Sequence, residues 1–494
     1  MAGIGFELKK LFVGRGAIRK LRAYAYASIV CSGTMLLAIG LLIGIQQLAK
    51  LSGAPEHQRE TLVSMIIYAM LFSMLLTSIL QTLLSRYVAD MLYREMPHRV
   101  MPSLLGASLL LMVPGGLAYA LLLMGAPEIP AIDRVLDWVL FMELIPIWLQ
   151  MAYITAAKDY RRILEVFAAG VAVALILGAA LIFTGLNAQT TLLIALAAGY
   201  GIMLTGFTGV LLRYFPSGSG SPFAFVEWFG HTPKLMAIGF FGMAGAFAHL
   251  LLMWFSPLGE SVSGPFRQAS THDAAAFYAF LVTLPANVNF VVSVEVNFYL
   301  KYKQYFSAIV GGGTLSEITG ARESMTTVLK QEVFKLAQVQ VFFMVAYVIV
   351  MRYFLKTIGF TTDMIAMFQV MSIGYSAFAI GNCLALLLLY FNDQTGALLS
   401  TAVFFAVNAA VTAWTANGSP LFYDIGLVAG GILMYLTALP RLLRYVKRID
   451  YHVFCGQPVL APQETGRWTR AAAWLDARTA GRTRKIKAGR GIQT

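Results

Sequence analysis

Residues 133–156 read DRVLDWVLFMELIPIWLQMAYITA. As a helix, a stretch of this length rises about 36 Å at 1.5 Å per residue, enough to cross a hydrocarbon layer about 30 Å thick. Past Arg134 its only charged residues are Asp137 and Glu143, and Glu143 falls near the middle. A soluble helix of this length would need a polar face to meet water, and this one has no such face. The segment therefore reads as a membrane span carrying a carboxyl at mid-depth.

The rest of the chain agrees. Of 494 residues, 58% are hydrophobic and 12% charged, with a mean hydropathy of +0.71. A soluble domain carries about 25% charged residues, so lipid is the solvent that suits this composition. A window of about 20 apolar residues finds twelve spans, at 24–48, 61–84, 103–125, 133–156, 163–184, 190–212, 233–256, 274–299, 336–355, 364–390, 396–417 and 421–441. They are separated by turn-forming breaks such as Ser52-Gly53-Ala54-Pro55 and the Pro/Gly/Ser stretch from Pro216 to Pro222. The apolar run behind the basic N-terminus is too long for a cleavable signal peptide.

Net charge is +13, and its distribution explains it without nucleic acid. If the N-terminus is cytoplasmic, 31 of the 37 Lys and Arg residues fall on the cytoplasmic side and 6 outside. That asymmetry is the positive-inside pattern, and it places both termini in the cytoplasm. The expected organisation follows: an amphipathic N-terminus at 1–23, a first six-helix group at 24–212, and a cytoplasmic linker at 213–232. A second group occupies 233–444, with a loop and helix at 300–335, and a basic tail fills 445–494. A short amphipathic stretch leads each group, Phe6 to Leu21 and Phe223 to Phe229. Six plus six, each led in this way, suggests an internal duplication, a layout common among transporters.

Polar groups inside spans are costly and so are candidates for function. Glu143, Pro146 and Gln150 fall at i, i+3 and i+7, on one helix face. Glu143 reads either as a proton or cation site on a conduit or as a protonated or paired carboxyl locking helices together. Asp137, near a span end with Arg134 three residues before it, reads as an interfacial pair, and Arg86 and Asp424 likewise as interfacial. The eighth span holds Pro285, Asn287, Asn289, Glu295 and Asn297, the pattern of a helix facing water or protein. His249, within the seventh span, reads as a hydrogen-bonded core residue. Beyond the eighth span, Lys301, Tyr302, Lys303 and Tyr305 form a basic and aromatic cluster that would serve as an interfacial belt or a docking surface. Gly311-Gly312-Gly313 then makes a turn, and Thr314 to Glu317 has capping-box spacing, so a polar cytosolic helix starts there and runs toward Lys335, available to a partner.

Phosphate-gripping loops, metal-binding spacings and nucleophile elbows are missing from the sequence, and Cys31, Cys383 and Cys455 have no disulfide or zinc spacing. A transporter without cofactor or metal is expected, not an enzyme. The tail beyond Glu464 adds eight Lys or Arg residues; it reads as a topogenic tail or as a segment attracted to anionic lipid, with Trp468 and Trp474 holding it to the interface.

Four ordered stretches resemble the PelG family of exopolysaccharide secretion components: MAGIGFELKKLF at 1–12, EVNFYLKYKQYFSAIVGGGTLSEI at 295–318, YFNDQTGALL at 390–399 and IDYHVFCGQPV at 449–459. The chain departs from that family's pattern at Ser32-Gly33-Thr34-Met35, where a Pro-Trp pair is usual, and at Asn392, where Asp is usual. The resemblance implies the fold of the multidrug/oligosaccharidyl-lipid/polysaccharide (MOP) flippases, two six-helix bundles around a cavity, as in the MATE transporters. It also implies export of a partly cationic amino-sugar polymer across the bacterial inner membrane for a biofilm matrix, with a PelF-like cytosolic glycosyltransferase and PelD-like and PelE-like membrane proteins as partners. Two other readings stay open: an ion-coupled exporter of drugs or lipid-linked oligosaccharide, and a membrane scaffold that docks the glycosyltransferase.

Overall fold

The computed structural model describes residues 17–157, 159–185, 187–215, 220–418, 422–454, 466–475 and 477. Of the amphipathic stretch from Phe6 to Leu21 only residues 17–21 are described; the first PelG-like stretch, residues 455–459 of the fourth and the tail beyond 477 lie outside these residues. Among the described residues, twelve helices are long and apolar enough to cross a membrane. In chain order they are α1 (Ala17–Leu51), α2 (Glu56–Tyr93), α3 (Val100–Met124), α4 (Ala131–Ala157), α5 (Tyr160–Leu181) and α6 (Ala188–Tyr214), followed by α7 (Pro233–Met253), α8 (Ser270–Val310), α9 (Leu315–Thr357), α10 (Thr362–Tyr390), α11 (Gln394–Thr415) and α12 (Ile425–Lys447). Each coincides with one of the twelve spans read from the sequence.

Two elements differ in kind from the expectation. The cytosolic helix starting at Thr314 and the ninth span are one uninterrupted helix of 43 residues. At 1.5 Å per residue it is about 65 Å long, roughly twice the hydrocarbon thickness, so it continues well beyond any membrane. Its N-terminus is closed by the expected capping box: the Thr314 N–H donates to Glu317 Oε2 at 2.8 Å and the Glu317 N–H donates to Thr314 Oγ1 at 3.4 Å. Gly312, with φ +68°, supplies the left-handed turn that lets α8 reverse into α9. The second difference is a two-stranded antiparallel hairpin between α7 and α8, β1 (Glu260–Ser263) paired with β2 (Phe266–Gln268).

The chain divides into two compact units. One holds the residues up to Ile43 with Phe241–Gly456; the other holds Gly44–Phe240 with Gln457–Thr494. The boundaries fall inside α1 and α7, the opening helix of each set of six.

Within the Gly44–Phe240 unit, α4 is the central helix, packed against α2, α3 and α6. The segment before α7 is folded onto the ends of α2 and α3: Phe225 and Val226 are buried, and the Trp228 ring meets Tyr87 edge-on at 4.9 Å. The approach is closest at Gly106, where a Cβ would lie 2.0 Å from the Pro222 carbonyl oxygen. The helical residues 467–475 of the tail cover the same segment, with Trp468 edge-on to Phe229 at 5.3 Å and Ala472 buried. Trp468 is thus held by protein contacts where an interfacial anchor was expected.

Within the other unit, α10 is the central helix, packed against α8, α9 and α12, while α11 lies along α12. Asn392, at φ +64°, turns the chain between α10 and α11. The next residue, Asp393, caps α11 through the Gly396 N–H (3.0 Å) and receives a two-pronged bond from Arg441 of α12 at 2.6 and 3.1 Å. One buried carboxylate thereby ends one helix and ties it to the next.

Candidate functional site

On α4 the face carrying Glu143, Pro146 and Gln150 meets α6. Gln150 is buried, and its Nε2 donates to Thr208 Oγ1 at 2.8 Å and to the Leu204 carbonyl at 3.4 Å. Glu143, two turns earlier, is half-buried beside Gly201, whose absent side chain leaves the carboxyl room: a Cβ there would stand 3.4 Å from Glu143 Oε1. Glu143 Oε2 is buried with no hydrogen-bond partner. Gln150 thus uses its amide N–H on the α4–α6 seam, and its Oε1, like Glu143 Oε2, is buried without a hydrogen-bond partner.

The same helix holds two more buried carboxyls. Asp137 is fully buried and accepts from the Tyr119 hydroxyl at 2.7 Å. Asp133, also fully buried, accepts from Thr190 Oγ1 at 2.5 Å. Each leaves its other oxygen without a hydrogen-bond partner. The interfacial pairing expected for Asp137 and Arg134 is replaced by this interior bond, because α3 brings a tyrosine hydroxyl to the carboxyl.

In the other unit, α8 is irregular where its polar residues cluster. A 3₁₀ turn at Leu281–Thr283 precedes Pro285, and Val292–Phe298 forms a π-helix, a form that collects at functional positions. Asn287 is exposed. Asn289 is buried, with its Nδ2 unpartnered. Glu295 lies within the π-helix, and its side chain falls outside the described residues. Asn297 donates to Glu332 Oε1 of α9 at 2.7 Å, and so fastens α8 to α9.

Just beyond, three PelG-like stretches converge. From the second, Phe298 and Tyr302 pack on Tyr390 and Phe391 of the third, with Tyr302 and Tyr390 centroids 4.7 Å apart. Tyr305, also from the second, is fully buried and donates through its hydroxyl to Asp450 of the fourth at 2.6 Å. Asp450 sits on a short helix, Ile449–Phe454, and also pairs with Arg322 of α9. Of the residues expected to face a partner, Lys303 and Glu317 are exposed and Lys301 and Tyr302 half-buried, while Tyr305 is enclosed. Residues as far apart as Phe298 and Asp450 thus build one junction.

Comparison with known proteins identifies the junction's owner. The profile of the PelG family, described as "Putative exopolysaccharide Exporter (EPS-E)", matches residues 1–454. The chain belongs to the PelG family. It is a multi-pass membrane transporter of the exopolysaccharide-exporter class and not an enzyme. No curated protein matches the chain in sequence. Among solved structures, it is similar to a multidrug resistance MATE family transporter of the MOP superfamily in its inward-facing conformation, at 13% identity, 86% coverage of this chain, 99% of that one and a TM-score of 0.56. The outward-facing conformation gives 13% identity, 86% and 96% coverage and a TM-score of 0.53. The eukaryotic MATE transporter AtDTX14 gives 14% identity, 93% and 99% coverage and a TM-score of 0.54. At such identities the likeness establishes the MATE fold alone. The family match ends at Phe454 and does not include the tail helix at 467–475.

Several polar residues escaped the sequence reading. Asp133 opens a span, where a carboxyl ordinarily meets water. Asp424 precedes α12 and was expected to be interfacial; it is buried against His272, 152 residues away. His272 lies in a polar stretch that reads as a loop. The His249 expectation is met: its Nε2 is 3.0 Å from the Tyr375 hydroxyl.

Proposed function

We propose that this PelG family member carries a partly cationic, amino-sugar exopolysaccharide across the bacterial inner membrane during matrix synthesis, with both termini in the cytoplasm. The 31-to-6 distribution of Lys and Arg supports that orientation. Residues 24–212 and 233–444 are the two halves of the transporter, joined by 213–232.

The observation that carries the substrate reading is Glu143, a carboxyl at mid-span with one oxygen free of any hydrogen bond. An ammonium group on a sugar satisfies such an oxygen with a charge-assisted hydrogen bond, and repeated amines along a polymer would do so in succession. Asn287, Asn289 and Glu295 are the polar contacts we assign to the polymer from α8. Gln150 and Asn297 hold the helices that present them. On the cytoplasmic side, Lys301, Lys303 and Glu317, together with the junction around Tyr302 and Tyr305, receive a PelF-like glycosyltransferase, with PelD-like and PelE-like proteins completing the assembly. Glu143→Gln tests the substrate reading: export should fall by at least tenfold while the protein accumulates normally in the membrane. Undiminished export in that variant would remove Glu143 from the path.

A further inference from the structure

The C-terminal end of α12 carries a cationic stripe that takes no part in the site or the junction described above. Arg441, Arg444, Lys447 and the cap residue Arg448 are all exposed. At 3.6 residues per turn they share about a third of the helix circumference, over a rise of about 10 Å. The opposite side packs inward: Ala438, Leu442, Val446 and the following Ile449 are each at most 1% exposed. This end of the helix is therefore fixed on one side by protein and presents only cations on the other.

Charge and position together say what meets this stripe. Arg441 is matched by Asp393. Arg444, Lys447 and Arg448 make no ion pair among the described residues, and Asp450, the acid nearest them in sequence, is taken by Arg322. Other helix ends neutralise their cations locally: Arg86 of α2 pairs with Asp90 at 3.1 Å, and at the start of α5 Arg161 and Arg162 pair with Glu165 and Asp159 at 2.7 and 3.2 Å. The α12 stripe also continues an apolar one. Leu433, Leu436, Pro440, Arg444 and Lys447 fall at i, i+3, i+7, i+11 and i+14, on one line along the helix. Leu433 and Leu436 are 39% and 54% exposed, so in a bilayer that part of the line meets acyl chains. Two turns further on, the same line is basic. A lipid whose chains lie along Leu436 presents its headgroup at Arg444 and Lys447, where long cationic side chains reach the interface. A soluble anionic partner would have no reason to be aligned with the acyl-facing side.

We propose that this stripe is an acidic-phospholipid site, and that the bound lipid holds the Ile449–Phe454 helix in the junction. The phosphate accepts charge-assisted hydrogen bonds from the Arg444 and Arg448 guanidiniums and the Lys447 ammonium. The short helix begins directly after Arg448. Its His452 ring stacks on Tyr445 of α12, with centroids 3.9 Å apart and planes 2° apart. A headgroup that fixes the end of α12 thereby fixes Asp450, and with it the contacts to Tyr305 and Arg322. The surface assigned above to the glycosyltransferase then depends on the lipid around it. Placing the lipid in the cytoplasmic leaflet rests on the orientation proposed above; the site itself does not.

The test uses the full-length protein in vesicles of phosphatidylcholine, alone or mixed with phosphatidylglycerol. Native mass spectrometry after extraction from the mixed vesicles should find phosphatidylglycerol retained in preference to phosphatidylcholine. The variant Arg444→Gln/Lys447→Gln/Arg448→Gln should lose that retention severalfold, whereas Arg161→Gln/Arg162→Gln, whose cations already have partners, should keep it. Arg444→Lys/Arg448→Lys preserves the charge and should preserve most of the binding, which separates electrostatics from a general loss of structure. Hydrogen exchange within Ile449–Phe454 should slow severalfold when phosphatidylglycerol is present, in the wild type and not in the triple variant. Inorganic phosphate added to phosphatidylcholine vesicles should not reproduce the slowing; if it does, a free anion and not a lipid is the ligand. Equal lipid retention by the wild type and the triple variant would overturn the site. A triple variant that keeps its lipid but no longer binds a glycosyltransferase would also overturn it, in favour of a protein partner. Exchange indifferent to phosphatidylglycerol would overturn the hold on the junction, even if the lipid binds. Neither measurement involves polymer or export, so both succeed or fail independently of the substrate reading.

Discussion

Replacing Asp450 with alanine removes the acceptor at the centre of the junction where three PelG stretches meet. Two interactions disappear together. The Tyr305 hydroxyl, on a fully buried side chain, loses its 2.6 Å partner; an orphaned buried donor costs about 1–3 kcal/mol. Arg322 loses its carboxylate as well. The side chains of that pair are 30% and 34% exposed, so solvent screening limits its share to at most about 1 kcal/mol. Together Asp450→Ala should destabilise by about 2–3 kcal/mol. Tyr305→Phe removes the donor instead and leaves no orphan on the tyrosine, so about 1 kcal/mol is expected. Because both variants break the same bond, the double variant should cost less than the sum of the two by about 1 kcal/mol. Denaturant titration of the purified protein in mixed micelles, followed by tryptophan fluorescence, measures all three. A wild-type midpoint for Asp450→Ala, or strictly additive losses in the double variant, would refute the reasoning that this bond ties the α8 extension to the Ile449–Phe454 helix.

Other changes should separate packing from transport. Gly106→Val places a side chain against the Pro222 backbone carbonyl, where even a Cβ has only 2.0 Å; overpacking of about 1–3 kcal/mol should reduce the amount of protein in the membrane, measured by blotting. Thr314→Ala removes one half of the α9 capping box and should cost about 1 kcal/mol, read as faster hydrogen exchange confined to the first turn after Leu315. Gln150→Leu deletes the bond to Thr208, but that hydroxyl still donates to the Leu204 carbonyl at 2.8 Å. The loss should stay within about 1 kcal/mol and export should continue, in contrast to Glu143→Gln.

The spans were legible because the hydrophobic requirement of a bilayer acts on each segment alone, and a window of residues is enough to see it. The alternation of Lys and Arg added a second, independent constraint on their number. The length of α9 was not legible in this way: residues 315–335 are polar and 336–355 apolar, so composition changes midway while the backbone, with no glycine or proline at the change, continues as one helix. Asp137 and Asp424 were misplaced for a related reason. A carboxyl near a span end meets water by default, and only the fold brings Tyr119 or His272 to it. Glu143 stood out in the sequence because a mid-span carboxyl is costly; that its Oε2 has no hydrogen-bond partner is visible only in the fold. The meeting of Tyr305 with Asp450 could be anticipated only as two separate resemblances to the same family. Its sense as one junction is a property of the packed chain.

The central claim is that this chain moves exopolysaccharide across a bilayer. The most direct measurement reconstitutes the purified protein, cytoplasmic face outward, in vesicles that receive a polysaccharide synthase and labelled nucleotide sugar on the outside. Polymer should accumulate inside, protected from an added glycosidase, only in vesicles that contain the protein, and Glu143→Gln should abolish the protected fraction. Polymer that stays as accessible to the glycosidase as in protein-free vesicles would contradict the account.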